Sequence, residues 1–214
     1  MRKIRSFKKI YYLGRSKKFI RLFSSILNER KNEIIPWRDC ENILDKKIKY
    51  KADLVVVCGY DYKSYLYPLD EYIKKNVCNP LNAIKKISNK STTIFYINTE
   101  ENLTKTTFSR YRYAKFLLGE KLSKEYKNFK QISPAVLLTE KGNIDIFGSF
   151  SLKIILKWCT FLGIIKTTTY RKLKLIVINK LQNSNQIKIH PIEPKFIALK
   201  RCQFLDRLLR LIYG

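Results

Sequence analysis

A single histidine, His190, is all that 214 residues hold, and most metal and triad chemistry goes with that scarcity. It stands in IKIHPI without partners spaced as in zinc sites or Ser-His-Asp triads. No metal centre is expected. Cysteine is sparse and scattered, at positions 40, 58, 78, 159 and 202. The number is odd and no Cys-x-x-Cys pair occurs, which reads as free thiols in a reducing compartment. No apolar run reaches the roughly 18–20 residues of a membrane span. The best candidate, SLKIILKWCTFLGII (151–165), is broken by Lys153 and Lys157. The N-terminus is basic but has no apolar signal core, so a cytoplasmic location without export is expected.

Acids are scarce as well. Lys and Arg number 44 against 17 Asp and Glu, for a net charge of +27. The first thirty residues contain one acid, Glu29, and residues 151–214 contain two, Glu193 and Asp206. Basic ends suit an anionic partner: a phosphorylated ligand, a lipid surface or nucleic acid. The plain alternative is a Lys-rich composition on a solvated surface. No helix-turn-helix, zinc finger or RNA-binding aromatic signature accompanies the charge, so only charge argues for a nucleic-acid binder.

What the chain has is enough apolar material for a core: 45% of its residues are hydrophobic, and Phe, Tyr and Trp make up 13% of the chain. Disorder is therefore not expected, and the length suits one ordinary domain, with or without a small appendage. KKIYYLG (8–14) is a short β-rich run ending in glycine. RSKKFIRLFSSILNER follows, with Phe19, Ile20, Phe23 and Ile26–Leu27 at helical spacing. NEIIPW reads as a second strand, ENILDKKIKY as a short helix, and ADLVVVCGY (52–60) as a strand buried on both faces. LDEYIKKNVCNPLNAIKKIS reads as a helix interrupted near Asn79–Pro80. TTIFYINT (92–99) is another buried strand, 108–127 a helix, and QISPAVLLT the next strand. KLKLIVINK and QIKIHPI form a possible strand pair, and RCQFLDRLLRLIYG a terminal helix. The strand–helix alternation predicts an α/β fold, a doubly wound parallel sheet, over 1–140. A reduced, basic C-terminal region, 141–214, would pack on it.

In such a sheet, ligands sit outside the carboxyl ends of the strands. Gly14 ends the first strand, Thr99 ends the fourth, and FSRYRYAKFLLGEKL (108–122) carries Tyr111 and Lys115 one helical turn apart. That is a proton-transfer set. An ammonium beside a phenol favours the phenolate, which accepts a proton from an alcohol that a second hydroxyl orients. Tyr-x-x-x-Lys also arises by chance in a chain with 14 Tyr and many Lys. The competing account makes Tyr111 and Lys115 an exposed helix face, Thr99 a strand end, Gly14 a turn glycine, and Tyr60, Tyr62, Tyr65 and Tyr67 packing or loop residues.

Over roughly residues 8–138 the ordered series resembles the extended short-chain dehydrogenase/reductases, the NAD-dependent epimerase/dehydratase family acting on nucleotide sugars. KKIYYLGRSKKFIRLF is similar to the family's first strand, phosphate loop and helix. KADLVVVCGYDY resembles the strand with its active-site turn, and YIKKNVCNPLNAIKK the helix with an Asn-Val pair, here Asn76 and Val77. TTIFYINTE resembles the strand ending in the catalytic Ser/Thr, which falls on Thr99, and YRYAK falls on the Tyr-x-x-x-Lys motif. ISPAVLL sits where the family has Arg-Pro and a turn.

The resemblance implies a Rossmann-like, NAD- or NADP-dependent enzyme of surface-polysaccharide biosynthesis. Tyr111 would be the general base. Lys115 would lower its pKa and hold the ribose, and Thr99 would orient the substrate hydroxyl. Gly14 and Lys17 would meet the cofactor phosphates, Asp39 a ribose hydroxyl, and Arg38 a 2′-phosphate. The phosphate loop departs from the family: only Gly14 remains, with Lys17, Lys18 and Arg21 where further glycines belong. The spacing from Thr99 to Tyr111 is short, Ser133 replaces the arginine before Pro134, and the substrate-binding portion is reduced. A non-catalytic relative, kept as a binding or scaffold subunit, is the second reading. Contact with an anionic membrane and homodimer formation are further expectations.

Overall fold

In a computed structural model, residues 6–27, 32–48, 50–61, 67–98, 106–107, 110–134, 136–138, 154, 157–158, 167–183 and 193–194 are described. The chain is α/β. Its centre is a five-stranded, all-parallel sheet of β1 (Ile10–Leu13), β2 (Asn32–Ile35), β3 (Leu54–Val57), β4 (Thr93–Ile97) and a later strand, β6 (Phe129–Ile132), in the order β2-β1-β3-β4-β6. A two-residue strand, β5 (Thr106–Thr107), lies outside this sheet. After β1 the chain runs outward to β2, then returns past β1 to β3 and continues the other way. The switch point therefore lies between β1 and β3, as in Rossmann-like doubly wound folds.

Burial on both faces explains why these strands read as unbroken apolar runs. Tyr11, Leu13, Val55, Val57, Ile94 and Tyr96 enter one core, and Ile10, Tyr12, Leu54, Val56, Phe95 and Ile97 enter the other. This is the two-residue period of a strand written across three neighbours. Each such side chain stabilises the fold by roughly 1.5–3 kcal/mol relative to exposure.

The first core is covered by α2 (Leu69–Ile73), α3 (Asn79–Ile87) and α4 (Arg110–Glu125). Ala114, Leu118 and Leu122, four apart on α4, are buried there. The helix expected to be interrupted near Asn79–Pro80 is interrupted just ahead of them. Between α2 and α3 the chain winds as a π-helix, Lys74–Cys78, and Pro80, in the first turn of α3, has no N–H to donate back into it.

The second core is covered by α1 (Lys17–Ser24) and α5 (Tyr170–Gln182). Here the structure corrects the sequence reading, because KLKLIVINK is helical and not a strand. Thr169 caps α5 by accepting from the Lys172 N–H at 3.3 Å, and Leu173 and Val177, one turn apart, face Phe23 and Ile132 within one core. The β-branched run Ile176–Ile178 suggested strand, but packing overrode propensity. Lys174 donates to the Ser25 carbonyl at 3.0 Å, tying α5 to the end of α1.

Two other expectations are revised. The described residues of ENILDKKIKY form no α-helix; a 3-10 helix at Trp37–Cys40 precedes them and turns follow. QISPAVLLT is divided at Ser133–Pro134. β6 ends at Ile132, and β7 (Val136–Leu138) pairs with β8 (Thr167–Thr169) away from the main sheet. The terminal helix and QIKIHPI lie outside the described residues, as does most of 151–165. No described helix is long and apolar enough to cross a membrane.

Candidate functional site

At the switch point, Gly14 and Gly59 touch. Gly14 follows β1 with φ +114°, a conformation open to glycine and strained for other residues. A β-carbon on Gly59 would stand 2.5 Å from Cε3 of Trp37, so the indole covers this glycine as well. Trp37 is buried, at the end of β2.

Arg38, next along, reaches across the end of β1. Its Nε and Nη2 donate to Oδ1 of Asp61 at 3.1 and 2.8 Å, joining the loop after β2 to the loop after β3. Asp61 is buried while Arg38 is mostly exposed. The hydrogen-bonded carboxylate holds the guanidinium even more firmly charged than usual. The backbone N–H of Asp61 donates to Oδ1 of Asn76 at 3.0 Å, and Nδ2 of Asn76 donates to the Tyr72 carbonyl at 3.2 Å. The π-helical turn thus presents Asn76 to the loop after β3. Asp61 was missed in the sequence. Its signal was a lone carboxylate just past a buried strand, in CGYDY.

α4 brings Tyr111 and Lys115 to this loop. Lys115 is buried, and its ammonium donates to the carbonyls of Gly59 at 3.2 Å and Ile97 at 3.1 Å. Those carbonyls lie at the carboxyl ends of β3 and β4. Rings of Tyr96 and Tyr60 lie 5.2 and 6.0 Å from the ammonium, close enough for cation–π attraction. Burial lowers the Lys115 pKa to about 8, with Cys58 pulling weakly the other way. The group is still mainly cationic at neutral pH. Cys58 is pushed up to about 12 by burial, against the opposing influence of the Ser16 N–H and Lys115, so it is a neutral thiol.

Tyr111 is half-buried, and its ring meets Tyr60 edge-on at 4.5 Å. Tyr60 in turn bonds hydroxyl to hydroxyl with Tyr72. Tyr60 is a packing residue, as the competing account had it, but it packs against the candidate base. Arg110, buried, donates to the Tyr67 carbonyl at 3.0 Å, and its guanidinium lies 5.8 Å from the Tyr72 ring. The Tyr96 hydroxyl donates to the Lys115 carbonyl at 2.7 Å, which fixes the middle of α4 over β4.

The structure therefore brings Gly14, Arg38, Tyr111 and Lys115 around one end of the sheet. Lys17 is exposed at the start of α1, whose first turn contains no acid and whose N-cap, Ser16, makes no side-chain capping bond. Asp39 sits apart, in the lining of a cavity under the β2–β3 crossover. Thr99, Tyr62 and Tyr65 lie outside the described residues. No group of three or more His, Cys, Asp or Glu able to hold a metal occurs among the described residues. The chain matches no protein-family model, and no curated protein matches it.

Proposed function

We propose that this protein works as a short-chain dehydrogenase/reductase of the nucleotide-sugar type, with NAD or NADP as its cofactor and Tyr111 as general base. One observation carries the proposal: Lys115, a turn after Tyr111, is buried against the carbonyls of Gly59 and Ile97 at the carboxyl ends of two central strands. That is where a doubly wound sheet binds its ligand. A buried cation beside a phenol stabilises the phenolate, and the phenolate takes the proton of a sugar hydroxyl. Thr99 would orient that hydroxyl. When bound, the nicotinamide would accept the hydride.

The fit to the dinucleotide is uneven. The start of α1, with Lys17 and no acid, suits a pyrophosphate. The end of β2 does not suit a 2′-phosphate, because Arg38 is already held by Asp61. Binding is therefore weak, with a dissociation constant above the micromolar range.

The same pair favours a second reading, a non-catalytic relative whose cleft is closed by its own side chains. Trp37 against Gly59 adds to that closure. Nicotinamide fluorescence on titrating NADH and NADPH tests both. Saturable binding, together with turnover of a nucleotide sugar, supports the enzyme. Absence of both at millimolar dinucleotide leaves the closed relative.

A further inference from the structure

The crossover from β2 to β3 leaves part of the sheet poorly covered, because turns replace a helix there. Under it lies a cavity of about 400 Å³, within the roughly 300–1,000 Å³ of small-molecule sites. Its floor is apolar: Tyr11, Ile35 and Ile43, all buried. At its mouth, Ile34 is 49% and Tyr50 62% exposed.

The lining sets the ligand chemistry. An exposed tyrosine ring beside an isoleucine suits a flat aromatic ring. Lys46 and Lys47 line the same cavity and suit a phosphate. Asp39, an acceptor-only group when ionised, suits the two hydroxyls of a ribose diol. Glu33, the other carboxylate in the lining, is paired with Lys9 and does not oppose an anion. We propose that this cavity binds a nucleoside monophosphate, with the base on Tyr50 and Ile34, the ribose on Asp39 and the phosphate on Lys46 and Lys47. The site does not rest on the Tyr111–Lys115 chemistry, since Gly14, Gly59 and Lys115 form no part of its lining.

The test is an amide-resolved NMR titration of the full chain with uridine monophosphate, adenosine monophosphate, uridine and inorganic phosphate. The double variant Lys46→Ala/Lys47→Ala is run beside it. Both lysines are exposed, so the variant keeps the fold, and its own spectrum verifies that. Shifts are expected at Ile34, Asp39, Ile43 and Ile48. Affinity should fall about tenfold when the phosphate is missing, and by a similar factor in the double variant. Shifts confined to Gly14, Gly59 and Lys115, undiminished affinity in the double variant, inorganic phosphate binding as well as the nucleotides, or silence at millimolar ligand would each overturn the proposal.

Discussion

Gly14 and Gly59 meet backbone to backbone at the switch point: a β-carbon on Gly14 would stand 2.2 Å from Cα of Gly59, and one on Gly59 would stand 2.6 Å from Cα of Gly14. The loops after β1 and β3 are thereby locked together, and a ligand bound at the switch point itself must lie above this contact.

Alanine at either position should destabilise the fold. Overpacking costs roughly 1–3 kcal/mol, and Gly14→Ala adds left-handed strain of about 1–2 kcal/mol. For a chain of this size each kcal/mol lowers Tm by about 2–4 °C. Thermal unfolding followed by circular dichroism should rank the wild type above Gly59→Ala and Gly59→Ala above Gly14→Ala. An unchanged Tm in both variants would refute the contact.

Lys115 should leave a signature in the pH dependence of stability. Its pKa is about 8 in the folded chain against 10.5 when unfolded. Below pH 8 both states are protonated, and the folded state bears the whole cost of burying the charge. Between these values the unfolded chain binds more protons, so stability rises with pH, by about 3 kcal/mol across the window. Lys115→Met removes the group. Urea unfolding from pH 7 to 11 should give a wild-type-minus-variant difference that is flat at first and then climbs between about 8 and 10.5. A difference without slope would mean that Lys115 is solvated.

Asn76→Ala should cost about 1–3 kcal/mol, because it removes a buried acceptor from the Asp61 N–H. It should also deprive the Asp61 N–H of its acceptor, which would appear as faster amide exchange at Asp61. Wild-type exchange there would mean that the bond carries no load.

Tyr111→Phe tests the proposed base. The ring keeps its 4.5 Å contact with Tyr60, so the chain should remain folded. Turnover of a nucleotide sugar should fall by roughly 10²–10⁴-fold, the usual worth of general acid–base catalysis. Activity within a few-fold of wild type would take Tyr111 out of the role.

Much of the sheet was legible because both faces of β1, β3 and β4 are buried, and such strands announce themselves as short unbroken apolar runs. The helical period of α1 and α4 was equally plain. The KLKLIVINK segment misled because β-branched residues suggest strand, whereas the cap at Thr169 and the partners of Leu173 and Val177 become visible only on packing. Of the candidate site, the turn that joins Tyr111 to Lys115 was written in the spacing. The engagement of Arg38 by Asp61 was not, since 23 residues separate them.

The sequence by itself determined a parallel α/β sheet and a Tyr-Lys pair one turn apart, because hydrophobic period and helical pitch are local properties. Tertiary structure alone decided that Lys115 is buried with its ammonium on two strand-end carbonyls, that Gly14 has Gly59 for a neighbour, and that Trp37 and Arg38 lean over the same crevice. These relations arise where chain segments distant in sequence are brought together by strand order, and strand order follows from how whole helices cover the two faces of the sheet.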